Sequence, residues 1–169
     1  MTCFVISAIS TLKCKAMDKQ IQNLIDLASK ESKGISILNT ADQLESFYNS
    51  NVGKYKKWRA IASIEDWLPV NPEFLQEFRK KLSDASVDTK VIFKESGFKY
   101  EVASLPHRDV KTVPDTYAFK SSIDILDDKI LIMNPHQTVL GLVIESPVLV
   151  DVFVDMFDML WNFLPEKKR

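Results

Sequence analysis

A chain of 169 residues is long enough for one domain with a full hydrophobic core. Its 22 Lys and Arg residues nearly balance 23 Asp and Glu residues, so the chain has no excess charge to attract nucleic acid or an anionic membrane. No apolar run reaches the roughly 18–20 residues of a membrane span. The two cysteines, Cys3 and Cys14, frame neither a metal site nor a disulfide scaffold. These features predict a cytoplasmic protein without direct nucleic-acid or membrane contacts.

Residues 1–16 form a leader of uncertain status. The apolar run 4–9 has no basic residue before it and therefore does not match a secretory signal. Met17 offers an alternative start of translation, so we expect the folded part to begin after residue 16.

Residues 17–33 are predicted to form an amphipathic helix that ends near Gly34. Spacings of three and four create one apolar stripe, made of Ile21, Leu24, Ile25 and Ala28. Two hypotheses remain open for this stripe. It packs on its own domain, or it joins two protomers as a dimerisation helix.

Residues 35–164 are predicted to form a single α/β domain. Strands are expected from apolar alternation at 35–38, 58–62, 89–93, 99–105, 117–126, 129–133 and 139–144. Helices are expected after Thr40, after Pro72 and after Ser146, and loops at 65–71 and 106–114. The fold class is therefore α/β (α+β), with a single mixed or antiparallel sheet and flanking helices.

The chain lacks the usual catalytic and cofactor motifs. Its four glycines form no phosphate-binding loop, and no histidine lies at zinc-ligand spacing from a cysteine. The only histidines, His107 and His136, fall in predicted loops. His107 has Asp109 two residues on, but such neighbours in a loop rarely converge on one substrate. We therefore predict no catalytic residue, no metal and no cofactor.

Asp124 is the most informative polar position. It lies between Ile123 and Ile125 in a predicted strand, so it shares the opposite sheet face with Ser122. If that face is covered, the carboxylate requires hydrogen-bond donors; the alternative is a solvent-facing residue. Candidate ligand-binding residues are Ser122, Asp124, His107 and Arg108. In the last helix Asp151, Asp155 and Asp158 form an acidic stripe, either solvated or in contact with a partner or metal.

Several short segments carry a resemblance to a known family. They are residues 61–68, 72–78, 91–93, 122–125, 128–132, 140–146 and 157–161. Their order resembles the C-terminal effector domain of TrmB-like sugar-responsive transcriptional regulators. The resemblance implies a fold like one half of phospholipase D.

The resemblance also indicates what is missing. Catalytic phospholipase D relatives carry His-x-Lys, whereas here His107 is followed by Asp109 and His136 by Thr138. Such regulators carry an N-terminal winged helix, which the 34 residues before Ile35 are too few to form. The resemblance thus implies a non-catalytic effector domain without its DNA-binding part.

Three functional hypotheses follow from these observations. The first is a non-enzymatic ligand-sensing or regulatory module that takes a small-molecule effector and forms a homodimer. The second is an interaction module that pairs with an intact DNA-binding regulator. The third is a phosphodiester hydrolase.

Overall fold

The structure is a computed structural model that describes residues 34–67, 71–101, 105–134 and 141–165. The strands are Ile35–Leu38 (β1), Lys57–Ala62 (β2), Asp88–Lys94 (β3), Arg108–Val113 (β4), Ser122–Ile125 (β5), Ile130–Met133 (β6) and Gly141–Ile144 (β7). The α-helices are Ala41–Asn51 (α1), Ile64–Trp67 (α2), Pro72–Asp84 (α3) and Pro147–Phe163 (α4). The leader 1–16 and the helix 17–33 lie outside the described residues and stay predictions.

The seven strands form one mixed sheet in the order β1-β7-β6-β5-β2-β3-β4. Strands β2, β3 and β4 run parallel to one another. Strand β5 pairs antiparallel with β2, and the antiparallel meander continues through β6 and β7 to β1. The predicted fold class of a single mixed sheet with flanking helices is confirmed.

Helices cover both faces of the sheet. On one face, α1 and α3 pack over β2 and β6 in a core that contains Tyr48, Trp58, Phe78 and Leu131. On the other face, α4 packs over an apolar cluster of Ile92, Ile125, Ile130, Val150, Phe157 and Trp161. Because side chains alternate along a strand, each central strand contributes to both cores. Within the described ranges, no helix is both long and apolar enough to cross a membrane.

The helix starts follow from local chemistry. The Thr40 hydroxyl accepts a hydrogen bond from the Gln43 amide, and the Asn71 side chain accepts one from the Phe74 amide. Proline occupies the first turn of α3 and α4, where its missing N–H costs nothing. Ser146 precedes α4 as predicted, although its hydroxyl makes no capping hydrogen bond.

Two predictions between residues 99 and 114 are wrong where the structure describes them. Residues 99 and 100, at the start of the expected strand 99–105, belong to a 3₁₀ helix over Glu95–Tyr100, and the expected loop 106–114 contains β4 at the sheet edge. Residues 102–104 lie outside the described residues. Strand β4 was not predicted because its charged side chains interrupt the apolar alternation. One of them, Lys111, donates hydrogen bonds to the backbone carbonyls of Trp161 and Leu164 at the end of α4. Charged residues are also common on edge strands, where they discourage pairing with other chains.

Two further boundaries differ from the predictions. The first residues of the expected loop 65–71 are helical and belong to α2. The buried Ile64 at the start of α2 holds this short helix against the sheet. The expected strand 117–126 is a strand only over Ser122–Ile125, where pairing partners exist on both sides in β2 and β6. Alternation alone therefore overestimated the length of β5.

A pair of substitutions in α4 tests its packing. Phe157 is 1% exposed and stacks on Trp161 with ring centroids 5.7 Å apart. We expect Phe157→Ala to lower the free energy of unfolding by about 3–5 kcal/mol, through lost burial and the cavity left behind. The exposed Asp151→Ala on the same helix serves as control and changes it by at most about 0.5 kcal/mol. Urea denaturation measures both; equal effects would contradict the packing described for α4.

Candidate functional site

A cavity of about 70 Å³ lies between the sheet and helices α1 to α3. We call it the central cavity. Most of its lining is apolar or aromatic: Tyr48, Trp58, Ala60, Ala62, Ile64, Trp67, Phe74, Leu75, Phe78, Leu82, Val91 and Met133. The remaining lining residues are polar: Arg79, Thr89, Arg108, Ser122 and Asp124. One water molecule needs roughly 10–15 Å³ of such volume, so the cavity has room for a small molecule.

Asp124 lies in the middle of the cavity wall on β5 and is only 5% exposed. The Tyr48 hydroxyl donates to its Oδ2 at 2.8 Å, and the Trp58 indole N–H donates to its Oδ1 at 2.7 Å. Of the two alternatives for Asp124, the structure shows the covered face, and the required donors come from two aromatic side chains. Each carboxylate oxygen has a fixed partner, which orients the group.

Burial shifts the pKa of this group upward. Desolvation raises the pKa of Asp124 from 3.8 to about 6, although the bonds from Trp58 and Tyr48 and the charge of Arg108 act in the opposite direction. Burial and the neighbouring Asp124 also raise the pKa of Tyr48 well above its usual value. Tyr48 therefore stays a hydrogen-bond donor, while Asp124 changes its charge within one or two pH units of neutrality.

Ser122 anchors the short helix α2 over the cavity. Its hydroxyl oxygen, fully buried, accepts hydrogen bonds from the Ser63 amide at 3.0 Å and from the Trp67 indole N–H at 3.2 Å. Both donors flank the turn that follows β2. Ser122 thus fixes the position of the Trp67 ring in the cavity wall.

Two arginines share one buried carboxylate near the cavity. Arg108 forms a two-point ion pair with Glu101 at 2.7 and 3.2 Å. Arg79 lies 3.7 Å from the same carboxylate and donates to the Tyr100 carbonyl. Burial and the nearby Arg108 lower the pKa of Arg79 to about 10. Both guanidinium groups line the cavity, and the Glu101 carboxylate neutralises part of their charge.

The structure brings together three of the four candidate residues, Ser122, Asp124 and Arg108, in the wall of the central cavity. His107 does not line it: the residue is exposed in the turn before β4, with a left-handed φ of 58°. His136 lies outside the described residues. Arg79 of α3 also lines the cavity but was not among the predicted candidates. Its side chain reaches back to Glu101, and no local pattern signals that contact.

The acidic stripe of α4 does not form a metal site. Asp158 is held by Arg59 through two contacts of 3.0 and 3.2 Å, while Asp151 and Asp155 are exposed. Across the described part of the chain, no group of His, Cys, Asp and Glu side chains is arranged to hold a metal ion. Asp158 thus has an internal partner while Asp151 and Asp155 face solvent, and contact of this stripe with a second chain stays a prediction.

The pH dependence of stability tests the environment of Asp124. Its pKa is raised on folding, so the protonated form favours the folded state below about pH 4, and this contribution is lost as the pH rises through about 6. We expect the unfolding free energy of the wild type, relative to Asp124→Asn, to fall by up to about 3 kcal/mol between about pH 4 and pH 7. Urea denaturation at several pH values measures the difference. A difference that is independent of pH would show that Asp124 has an ordinary pKa.

No family profile matches the sequence, and a search of curated proteins finds no relative. Solved structures do share the fold. TrmBL2, an archaeal chromatin protein with a described mode of DNA binding, superposes with a TM-score of 0.59 at 12% identity, covering 96% of this chain and 64% of TrmBL2. The present chain thus spans less than two thirds of that protein.

Two bacterial proteins are also similar in structure. NucT from Helicobacter pylori has a TM-score of 0.56 at 6% identity and covers 79% of this chain and 97% of its own. Nuc from Salmonella typhimurium, a phospholipase D family member, has a TM-score of 0.50 at 18% identity. The match covers 80% of this chain and 96% of Nuc. At these identities the similarity establishes the fold, which is phospholipase D-like and is shared with TrmBL2.

Proposed function

We propose that this domain is a non-enzymatic regulatory module that binds a small molecule in the central cavity. The observation that carries the proposal is a half-enclosed, mainly apolar cavity with five aromatic side chains, a buried carboxylate and two guanidinium groups in its wall. Binding sites for small molecules combine mostly apolar walls with a few fixed polar groups. A packed core without a ligand has no need for this arrangement, because buried charges cost free energy.

The lining restricts the chemistry of the ligand. Asp124 accepts hydrogen bonds, so it favours hydroxyl or amino groups, whereas Arg79 and Arg108 favour oxygen acceptors. Trp67 and Phe74 offer flat apolar surfaces to the less polar face of such a molecule. A small polyol or sugar combines these properties. The resemblance to TrmB-like sugar-responsive regulators independently implies the same class.

A regulatory effect would arise from the elements that cover the cavity. Helix α2 has only four residues and is tied to the sheet through Ser63 and Trp67, which both donate to Ser122. A ligand that prefers one arrangement of α2 and α3 over the sheet shifts the population toward it, in proportion to its difference in affinity. The domain therefore needs no chemical step to act as a sensor.

Direct DNA binding is not part of the proposed function. TrmBL2 is described as binding DNA. The present chain has a net charge of −1, and a protein gains most of its non-specific affinity for DNA by neutralising phosphates with basic residues. We propose that any influence on transcription passes through a partner or a further domain.

A ligand screen tests the proposal, because Trp58 and Trp67 line the cavity while Trp161, a residue of α4, packs on the other face of the sheet. We expect a monosaccharide, disaccharide or polyol at millimolar concentration to raise the melting temperature and change the tryptophan fluorescence. Asp124→Asn should weaken binding at least tenfold, about 1.4 kcal/mol, and the exposed Asp151→Asn should leave it unchanged. Binding that is equally strong in both variants would place the ligand elsewhere.

The absence of catalysis is tested separately. The sequence has no His-x-Lys, and His107 lies outside the cavity lining. We expect no turnover of a chromogenic phosphodiester above the uncatalysed rate, because no nucleophile is paired with a phosphate-binding lysine. The assay compares the wild type with His107→Ala and His136→Ala. Turnover that disappears in either variant would identify the protein as a hydrolase.

A further inference from the structure

Helix α4 is apolar on two sides. Its inner side is buried against the sheet through Val150, Phe157 and Trp161. On its outer side, six large apolar residues have between 42% and 83% of their surface exposed: Val148, Leu149, Val152, Met156, Met159 and Phe163. Single exposed apolar residues are ordinary, but a row of six on one element is not. We call these six residues the α4 outer stripe.

The spacing within the α4 outer stripe is that of a helix–helix seam. Leu149 and Val152 are three residues apart, Met156 follows after four, and Met159 and Phe163 repeat the pattern of three and four. This alternation is the heptad repeat by which one helix packs against another. The seam runs from Leu149 to Phe163, about 21 Å at roughly 1.5 Å per residue, and so covers most of α4. No charged residue interrupts it, since Asp151, Asp155 and Asp158 lie beside it.

We propose that the α4 outer stripe is a homodimer interface, on which a second copy of this chain packs its own α4 across a two-fold axis. A heptad seam is complementary to another seam of the same kind, and two-fold pairing is the commonest arrangement of identical chains. Each copy supplies the same surface, so a single contact buries the exposed stripe of both helices.

The area of the stripe agrees with this occupant. An aromatic side chain such as Phe163 buries roughly 150–250 Å², and the five aliphatic members are smaller, so the six at these degrees of exposure present on the order of 600 Å². Complete burial of the stripe in both copies would remove about 1,200 Å² from solvent, at the lower end of the range of about 1,200–2,000 Å² for stable protein interfaces. The stripe alone is as large as the largest apolar patch of a typical monomer, roughly 300–600 Å².

The same side of the sheet carries further exposed apolar residues. Ile35 pairs with Ile144, which pairs with Ile130, a residue of the cluster under α4. Side chains of paired residues share a sheet face, so Ile35 lies on the α4 side of the sheet, as does Ile37 two residues on. Both are about half exposed. A second chain on this side would reduce the exposure of apolar surface beyond the helix itself.

Charge distinguishes a second copy from a basic partner helix. Asp155 borders the stripe next to Met156, and α4 has no basic residue. In a dimer of identical stripes two acidic helices approach each other in either orientation, so added salt or Asp155→Asn should strengthen association. A partner with a basic helix would instead bind more weakly under both changes.

Sedimentation velocity on the full chain tests the interface. We expect a dimer at tens of micromolar, and at least tenfold weaker association for Met156→Lys with Met159→Lys. Both side chains are exposed, so the circular dichroism spectrum and the melting temperature at low concentration should stay those of the wild type. The matched control is Asp151→Asn with Asn162→Lys, which makes the same change of two positive charges on the acidic flank of α4, outside the α4 outer stripe, and should leave the dimer intact.

Three outcomes would overturn the proposal. One is a wild-type monomer at 100 micromolar, which would put the dissociation constant of any dimer well above that concentration. Another is a dimer that survives Met156→Lys with Met159→Lys but is lost on Leu24→Lys with Ile25→Lys, which would assign association to residues 17–33. If the methionine variant loses its helical spectrum, the salt titration decides, and a wild-type dimer that weakens with added salt contradicts the self-paired stripe.

Discussion

The buried carboxylate of Asp124 is the constraint on which the cavity side of the structure depends. A charge in the middle of a sheet is tolerated only with hydrogen-bond donors, and these come from Tyr48 on α1 and Trp58 on β2. The two rings stack with centroids 6.0 Å apart, and Phe78 of α3 contacts both. One polar group thus fixes a helix and two strands relative to one another, and the aromatic packing that follows positions α3.

The central cavity follows from residue size on β2. This strand joins the parallel and antiparallel parts of the sheet, and Ala60 pairs with Val91 on one side and Asp124 on the other. Ala60 and Ala62 both line the cavity, where their small side chains leave space below α3. Larger residues would fill that space, because protein interiors are otherwise closely packed. The cavity is therefore built into the strand that organises the fold.

The two proposed contacts of this protein lie on opposite faces of the sheet and meet in β5. Asp124 points into the central cavity, whereas the adjacent Ile125 packs in the cluster under α4 with Phe157. A displacement of β5 in the wall of the central cavity would therefore also displace the residues packed against β5 under α4, since close-packed cores transmit displacement. If both proposals hold, a ligand and a second copy would act on a shared strand, and coupling between them would be reciprocal.

The sequence by itself determined most helices and strands and the sheet face on which Asp124 lies, but not that this face is covered. Those features depend on local patterns: the cap at Thr40, the proline that opens α4, and the alternation around Ile123. Tertiary structure alone decided that β4 exists, that Arg79 turns inward to Glu101, and that Tyr48 and Trp58 are the donors to Asp124. Periodicity reports which face of an element is buried, but the partner on that face comes from distant parts of the chain. Periodicity is least reliable for charged residues, because a long side chain such as that of Arg79 or Lys111 can reach an acceptor inside the fold from a position that the pattern assigns to the surface.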